Sequence, residues 1–107
     1  MPSVSEISQA MVDGFQPEKA EGVDATIQFD LSGDNGGQFY VVIKDKTVAS
    51  HEGMAENPKM TLKADADDYY KVASGQMNAM QAFMSGKIKI SGDMSLAMKM
   101  QNMFKAG

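Results

Sequence analysis

Few side chains in this sequence combine the types and the spacing that chemistry requires. The one histidine, His51, could act as a general base only with a nucleophile to deprotonate and a group to orient it. No serine or carboxylate near it in sequence forms a recognisable triad, so His51 reads as a surface or packing residue. Asp65, Asp67 and Asp68 resemble a cation cluster. A helix starting at this point calls for the same residues, however: an N-cap to accept orphan backbone N–H bonds and carboxylates in the first turn to complement the helix dipole. Met98 and Met100 form a pair of soft thioethers of the kind that favours Cu(I). On a helix, side chains two positions apart diverge by about 200°, and no cysteine supports them.

The glycine-rich run Gly33 to Gly37 lies between two strand-like segments, whereas a phosphate cradle leads into a helix N-terminus. Tyr69 and Tyr70 could offer a phenol to a ligand headgroup, but adjacent helical residues point apart, and the sequence assigns neither a role. Gln101 is a polar exception among the apolar positions of the last helical segment; it either faces solvent or hydrogen-bonds the polar end of a ligand. The expectation is a protein without catalytic residues, metal or cofactor.

Composition narrows the partners. The chain has 107 residues and 43% hydrophobic content, which suits one globular domain over residues 1–107. There is no cysteine, so disulfides and thiolate sites are excluded. The net charge is −4 with scattered lysines, which argues against nucleic acid as a partner. Nothing at Met1 to Glu6 looks like a leader, no segment approaches the roughly 20 apolar residues that span a bilayer, and Lys105-Ala106-Gly107 is not a peroxisomal tripeptide. The reading is cytoplasmic, with no membrane span and at most transient membrane contact. Methionine is the unusual feature: there are 11, seven of them between Met77 and Met103. An unbranched thioether fills irregular core gaps, and it also suits a surface that adapts to varied ligands.

The elements that must position these residues follow from periodicity. Val4, Ile7, Met11 and Phe15 recur at helical spacing over Ser3 to Phe15, with Ser3 as N-cap and Gly14 near the end. Val23 to Leu31 alternates apolar and polar residues as a strand. Ser32 to Gly37 then supplies a hairpin turn, with Asn35-Gly36 as its signature. Gln38 to Lys44 and Thr47 to His51 read as further strands around a turn at Asp45-Lys46, and Lys59 to Ala64 as a fourth. Asp65 caps a helix that Gly75 stops, Asn78 with Gln81 resembles a capping box for a short helix ended by Gly86, Lys87 to Ser91 is a fifth strand, and Gly92-Asp93 leads into a last helix. The fold class is α+β: a five-stranded, mainly antiparallel sheet with helices packed on one face.

From Ala64 onward the sequence resembles the sterol carrier protein type 2 family. The family pattern has an Ala-Phe pair, then Gly-Lys-Leu/Ile-Lys-Ile-x-Gly-Asn/Asp, then a helix containing Lys-Leu/Met-Gln. This chain has Ala82-Phe83, Gly86-Lys87-Ile88-Lys89-Ile90, Gly92-Asp93 and Lys99-Met100-Gln101. Before Ala64 it is similar in element order and strand pattern alone. The resemblance implies an apolar tunnel between sheet and helices for fatty acyl chains, acyl-CoA, sterols or similar lipids, and a stand-alone bacterial-type carrier with no catalysis of its own. Phe83, Met84, Ile88, Ile90, Leu96, Met100, Gln101, Met103 and Phe104 are the expected ligand-binding wall, and the last helix the expected gate. The alternative the family also suggests is an accessory or scaffold protein that presents a lipid-like intermediate, such as a quinone precursor, to a partner enzyme of lipid metabolism.

Overall fold

A computed structural model describes residues 3–104; the leader and tripeptide readings at residues 1–2 and 105–107 lie outside the described residues. Helix α1, Val4–Asp13, opens on a reciprocal capping box between Ser3 and Glu6. It ends two residues earlier than the apolar spacing predicts, because the Gly14 and Phe15 N–H groups bond back to the Met11 and Val12 carbonyls at 3.1 and 3.0 Å. Those tight i→i−3 bonds close the helix and release Phe15 to pair with Phe104 in an isolated bridge. A 3₁₀ turn at Pro17–Lys19 follows.

The strands are β1 Ala25–Ser32, β2 Gly37–Lys44, β3 Thr47–Glu52, β4 Met60–Asp65 and β5 Ile88–Gly92, in the order β3-β2-β1-β4-β5. Three of the four pairings are antiparallel and β1 with β4 is parallel, so the α+β sheet is mixed. Alternation assigns Ile27, Phe29, Phe39, Val41, Ile43, Met60 and Leu62 to one buried face. Phe29 and Phe39 are register partners with stacked rings 4.7 Å apart.

Helices α2 (Ala66–Ala73), α3 (Ala79–Met84) and α4 (Met94–Met103) follow. Each has a side-chain N-cap: Asp65, Asn78 and Asp93. Asp65 and Asp67 are thereby accounted for, the first bonding the Asp67 and Asp68 N–H groups and the second accepting from Asn35 Nδ2 at 3.0 Å.

The turns depart from the expected ones. Positive φ occurs at Gly33, while Asn35-Gly36 does not use it. Gly36 is required instead because its backbone lies against the Leu31 carbonyl, where a Cβ would collide. The β2–β3 turn does take φ of 52° at Asp45 and 62° at Lys46, the primed hairpin geometry without its usual glycine.

The parallel neighbour forces a crossover from β3 to β4. Glu52 stands level with Leu62 through Phe39 and Phe29, so the connection steps back only two residues while crossing three strand gaps, roughly 15 Å. Gln28, which points away from the helices and is nevertheless buried, fastens it. Its Nε2 donates to the Phe39 and Gly53 carbonyls, each at 3.1 Å, and its Oε1 accepts from the Ala55 N–H at 2.7 Å.

Candidate functional site: an apolar cavity under α3 and α4

Helix α2 rests against α1 and strands β1 and β4, while α4 rests against β4, β5 and the Pro17–Lys19 turn. Between them lies α3, six residues long, against β5. The wedge left beneath it is a cavity of about 680 Å³, inside the roughly 300–1,000 Å³ range of small-molecule sites. Leu62, Ile88 and Ile90 form its floor, Tyr69 and Val72 one side, and Ala97 and Met100 the other.

Its lining is mainly apolar, with Gln16, Lys19, Asn78, Gln101 and Asn102 as polar members. Deep on one side, the buried Tyr69 hydroxyl donates to the Met11 sulfur at 3.6 Å. A thioether is a weak acceptor, so this donor is only lightly engaged. Burial pushes the phenol well above its ordinary range, and the group therefore stays a neutral donor at physiological pH.

The mouth is marked by residues that line the cavity and are also exposed. Met80, Phe83, Met94 and Met98 form its apolar lip, with Met98 at 70% exposure. Lys19, Asn78, Gln101 and Asn102 form a polar one.

Helix α4 is tied at both ends. The Asp93 N–H donates to the Lys59 carbonyl at 2.9 Å, and Gln16 donates to the Met103 carbonyl at 2.7 Å through its N–H and to the Asn102 carbonyl at 2.9 Å through Nε2. The Phe15 and Phe104 rings meet at 5.5 Å. No equivalent long-range side-chain bond holds α3 among the described residues: Asn78 Oδ1 and Ser85 Oγ bond only within the helix.

The cavity brings together Phe83, Ile88, Ile90, Met100, Gln101 and Phe104 and leaves out three residues expected in its wall. Met84 ends α3 at 79% exposure, and Leu96 and Met103 are buried in the core. The reason is helical. Leu96 and Met103 belong to the apolar stripe of α4 that seats the helix on the sheet, with Met100 on the border between that stripe and the cavity. The cavity takes the neighbouring stripe, Met94, Ala97, Met98 and Gln101, a partly wet face that hydrophobic periodicity ranks second.

Sequence reasoning also left Met11, Met77 and Met80 out of the wall, and it considered Tyr69 without assigning it a role. The one signal for the methionines is their enrichment. Tyr69 could not be told from Tyr70, since a buried and an exposed tyrosine look alike until the helix is oriented.

His51 lies on the open face of the sheet against Tyr40, with ring centroids 5.2 Å apart, away from the cavity. Among the described residues, no group of three or more His, Cys, Asp or Glu side chains could hold a metal ion, and no helix is long and apolar enough to cross a membrane.

The mixed five-stranded sheet with helices packed against it is the fold of solved sterol carrier protein structures. The chain belongs to the SCP-2 sterol transfer family, whose model matches residues 6–105. It is similar to hydroxysteroid dehydrogenase-like protein 2 of Mus musculus, with 31% identity over 102 residues covering 94% of this chain and 21% of that protein. The chain thus spans about a fifth of the length of that curated relative. Among solved structures it is similar to sterol carrier protein domain 2 of Helicoverpa armigera (TM-score 0.65, 32% identity, 90% of this chain and 77% of that one). The palmitated SCP2L2 of Aedes aegypti shares the fold (TM-score 0.74, 24% identity, 94% and 92% covered).

Proposed function

We propose that the protein is a non-catalytic, intracellular carrier that shelters fatty acyl chains, sterols or similar apolar molecules in the cavity beneath α3 and α4. The observation that carries this reading is a cavity of about 680 Å³ with mainly apolar walls and a polar edge at its mouth. Such a space offers a long hydrocarbon dehydration and little else. Burying about 16 methylenes gives about 13 kcal/mol gross at about 0.8 kcal/mol per CH₂, against an association cost of roughly 4–15 kcal/mol. At the low end of that cost the net is about −9 kcal/mol, affinity on the order of micromolar, which allows release as well as capture.

Apolar walls discriminate by only about 1–3 kcal/mol per methylene-sized change, so tolerance is broad. Tyr69 adds a preference for a ligand whose inward end is a neutral acceptor. The moving part is α3, the short helix over the mouth, with α4 as its fixed frame.

Native mass spectrometry of freshly purified protein, with extraction of what it carries, tests the proposal. One apolar molecule per chain is expected, and its persistent absence, with no uptake of added lipid, counts against it. A second reading, a module that presents a lipid-like intermediate to an enzyme, draws on the relative in which a similar region is part of a longer dehydrogenase-like protein. Stoichiometric capture of an enzyme from cell extract would favour it.

A further inference from the structure

Charge divides along this chain. Residues 1–68 hold thirteen acidic and five basic side chains, whereas residues 69–107 hold one acidic and five basic. A protein of net charge −4 therefore has a C-terminal part of net charge +4. Its lone carboxylate, Asp93, is occupied as the N-cap of α4, accepting from the Ser95 and Leu96 N–H groups. On these same elements lie five of the six large exposed apolar side chains among the described residues, Met80, Phe83, Met84, Met94 and Met98, with Met54 elsewhere. Lys87, just after α3, and Lys99, beside Met98 on α4, are both exposed.

We infer that the α3–α4 face is a docking surface for an anionic lipid bilayer. Flexible methionines and one phenyl ring enter the interfacial region, and Lys87 and Lys99 meet lipid phosphates. The distribution of charge supplies orientation as well as attraction. An anionic membrane repels the acidic N-terminal part, including α1, which has an acid in its first turn and no base in its last. Attraction through Lys87 and Lys99 favours approach with the cavity mouth facing the membrane.

A second copy is the weaker occupant. A two-fold contact through this face would set the lysines of one copy against those of the other, whereas a phosphate layer neutralises them all. The delivery of cargo through the lip at Met80, Phe83, Met94 and Met98 rests on the carrier reading. The docking itself does not, and the two are measured separately.

Flotation with phosphatidylglycerol–phosphatidylcholine vesicles tests the inference. Binding is expected at low salt, weakening as salt rises, with none to pure phosphatidylcholine. Lys87→Glu with Lys99→Glu should lower partitioning at least about tenfold, and Met84→Asp should lower it too, while Lys44→Glu with Lys46→Glu on the distant β2–β3 turn has no such effect. Neither lysine lines the cavity, so K87E/K99E keeps its uptake of fluorescent fatty acid from solution. That uptake shows the variant is folded and keeps failed docking distinct from a failed carrier. No binding to anionic vesicles, equal loss in the two lysine pairs, or a dimer that M84D dissociates would overturn the proposal.

Discussion

The Tyr69 hydroxyl lies 3.6 Å from the Met11 sulfur, joining α2 to α1 at the inner wall of the cavity. Because the acceptor is a thioether, Tyr69→Phe should change stability by less than about 1 kcal/mol. It should cost severalfold in affinity for ligands with an inward carbonyl and leave hydrocarbon-only ligands unaffected, as competition titrations with matched pairs of ligands can show. The same variant alters alkaline stability. The folded phenol holds its proton above the range where an unfolded tyrosine loses it, about 10. The stability Tyr69 contributes is therefore complete below that pH and declines as pH rises through it. Denaturant melts from pH 8 upward should show this loss in the wild type and less of it in Y69F.

Gln28 binds three backbone groups of the crossover and its neighbouring strand while buried on the open face of the sheet. Gln28→Leu leaves those groups without their partner, and a loss of about 3 kcal/mol is expected from equilibrium unfolding. Hydrogen exchange should show the Ala55 amide deprotected ahead of the strands.

Asp93 is fully exposed, and its carboxyl is nevertheless held below the usual range, chiefly by the Ser95 hydroxyl and then by the Leu96 N–H. A depressed carboxyl contributes stability that is present above the unfolded value and lost as pH falls through the folded one. An NMR titration should place its midpoint below those of unconstrained aspartates, and Ser95→Ala should raise it. Asp93→Asn, which keeps the cap, should remove its share of acid sensitivity.

Lys46 holds φ of 62° with a Cβ, a conformation that costs a side-chain-bearing residue roughly 1–2 kcal/mol. Lys46→Gly should therefore raise stability by up to about 1 kcal/mol, part of the relief being offset by glycine's unfolded-state entropy. Thermal melts check the sign.

How far the sequence speaks depends on how local each cause is. Caps and alternation are local, so Ser3, Asp65 and Asn78 and all five strands are legible with small boundary shifts. Strand partnership is not. Val23 to Leu31 alternates identically whether its neighbour runs parallel or antiparallel, and the β1–β4 pairing depends on a crossover fastened by Gln28, an ordinary polar position by pattern. The cavity is harder again. Periodicity finds the stripe that packs, Leu96 and Met103, and a hollow is lined by the stripe beside it. Phe83, Ile88 and Ile90 were accessible because the strand and the Ala-Phe motif fix their side, whereas Tyr69 and Met11 meet only once two distant helices are laid together.

The most direct test of the carrier account is a titration of wild type and Ala97→Trp with a fluorescent long-chain fatty acid, since Ala97 is a small side chain on the cavity wall. Saturable binding of one molecule per chain on the order of micromolar, weakened at least about tenfold in a folded A97W, is the predicted result. Binding that A97W leaves unchanged, or no saturable binding in the wild type, would contradict it.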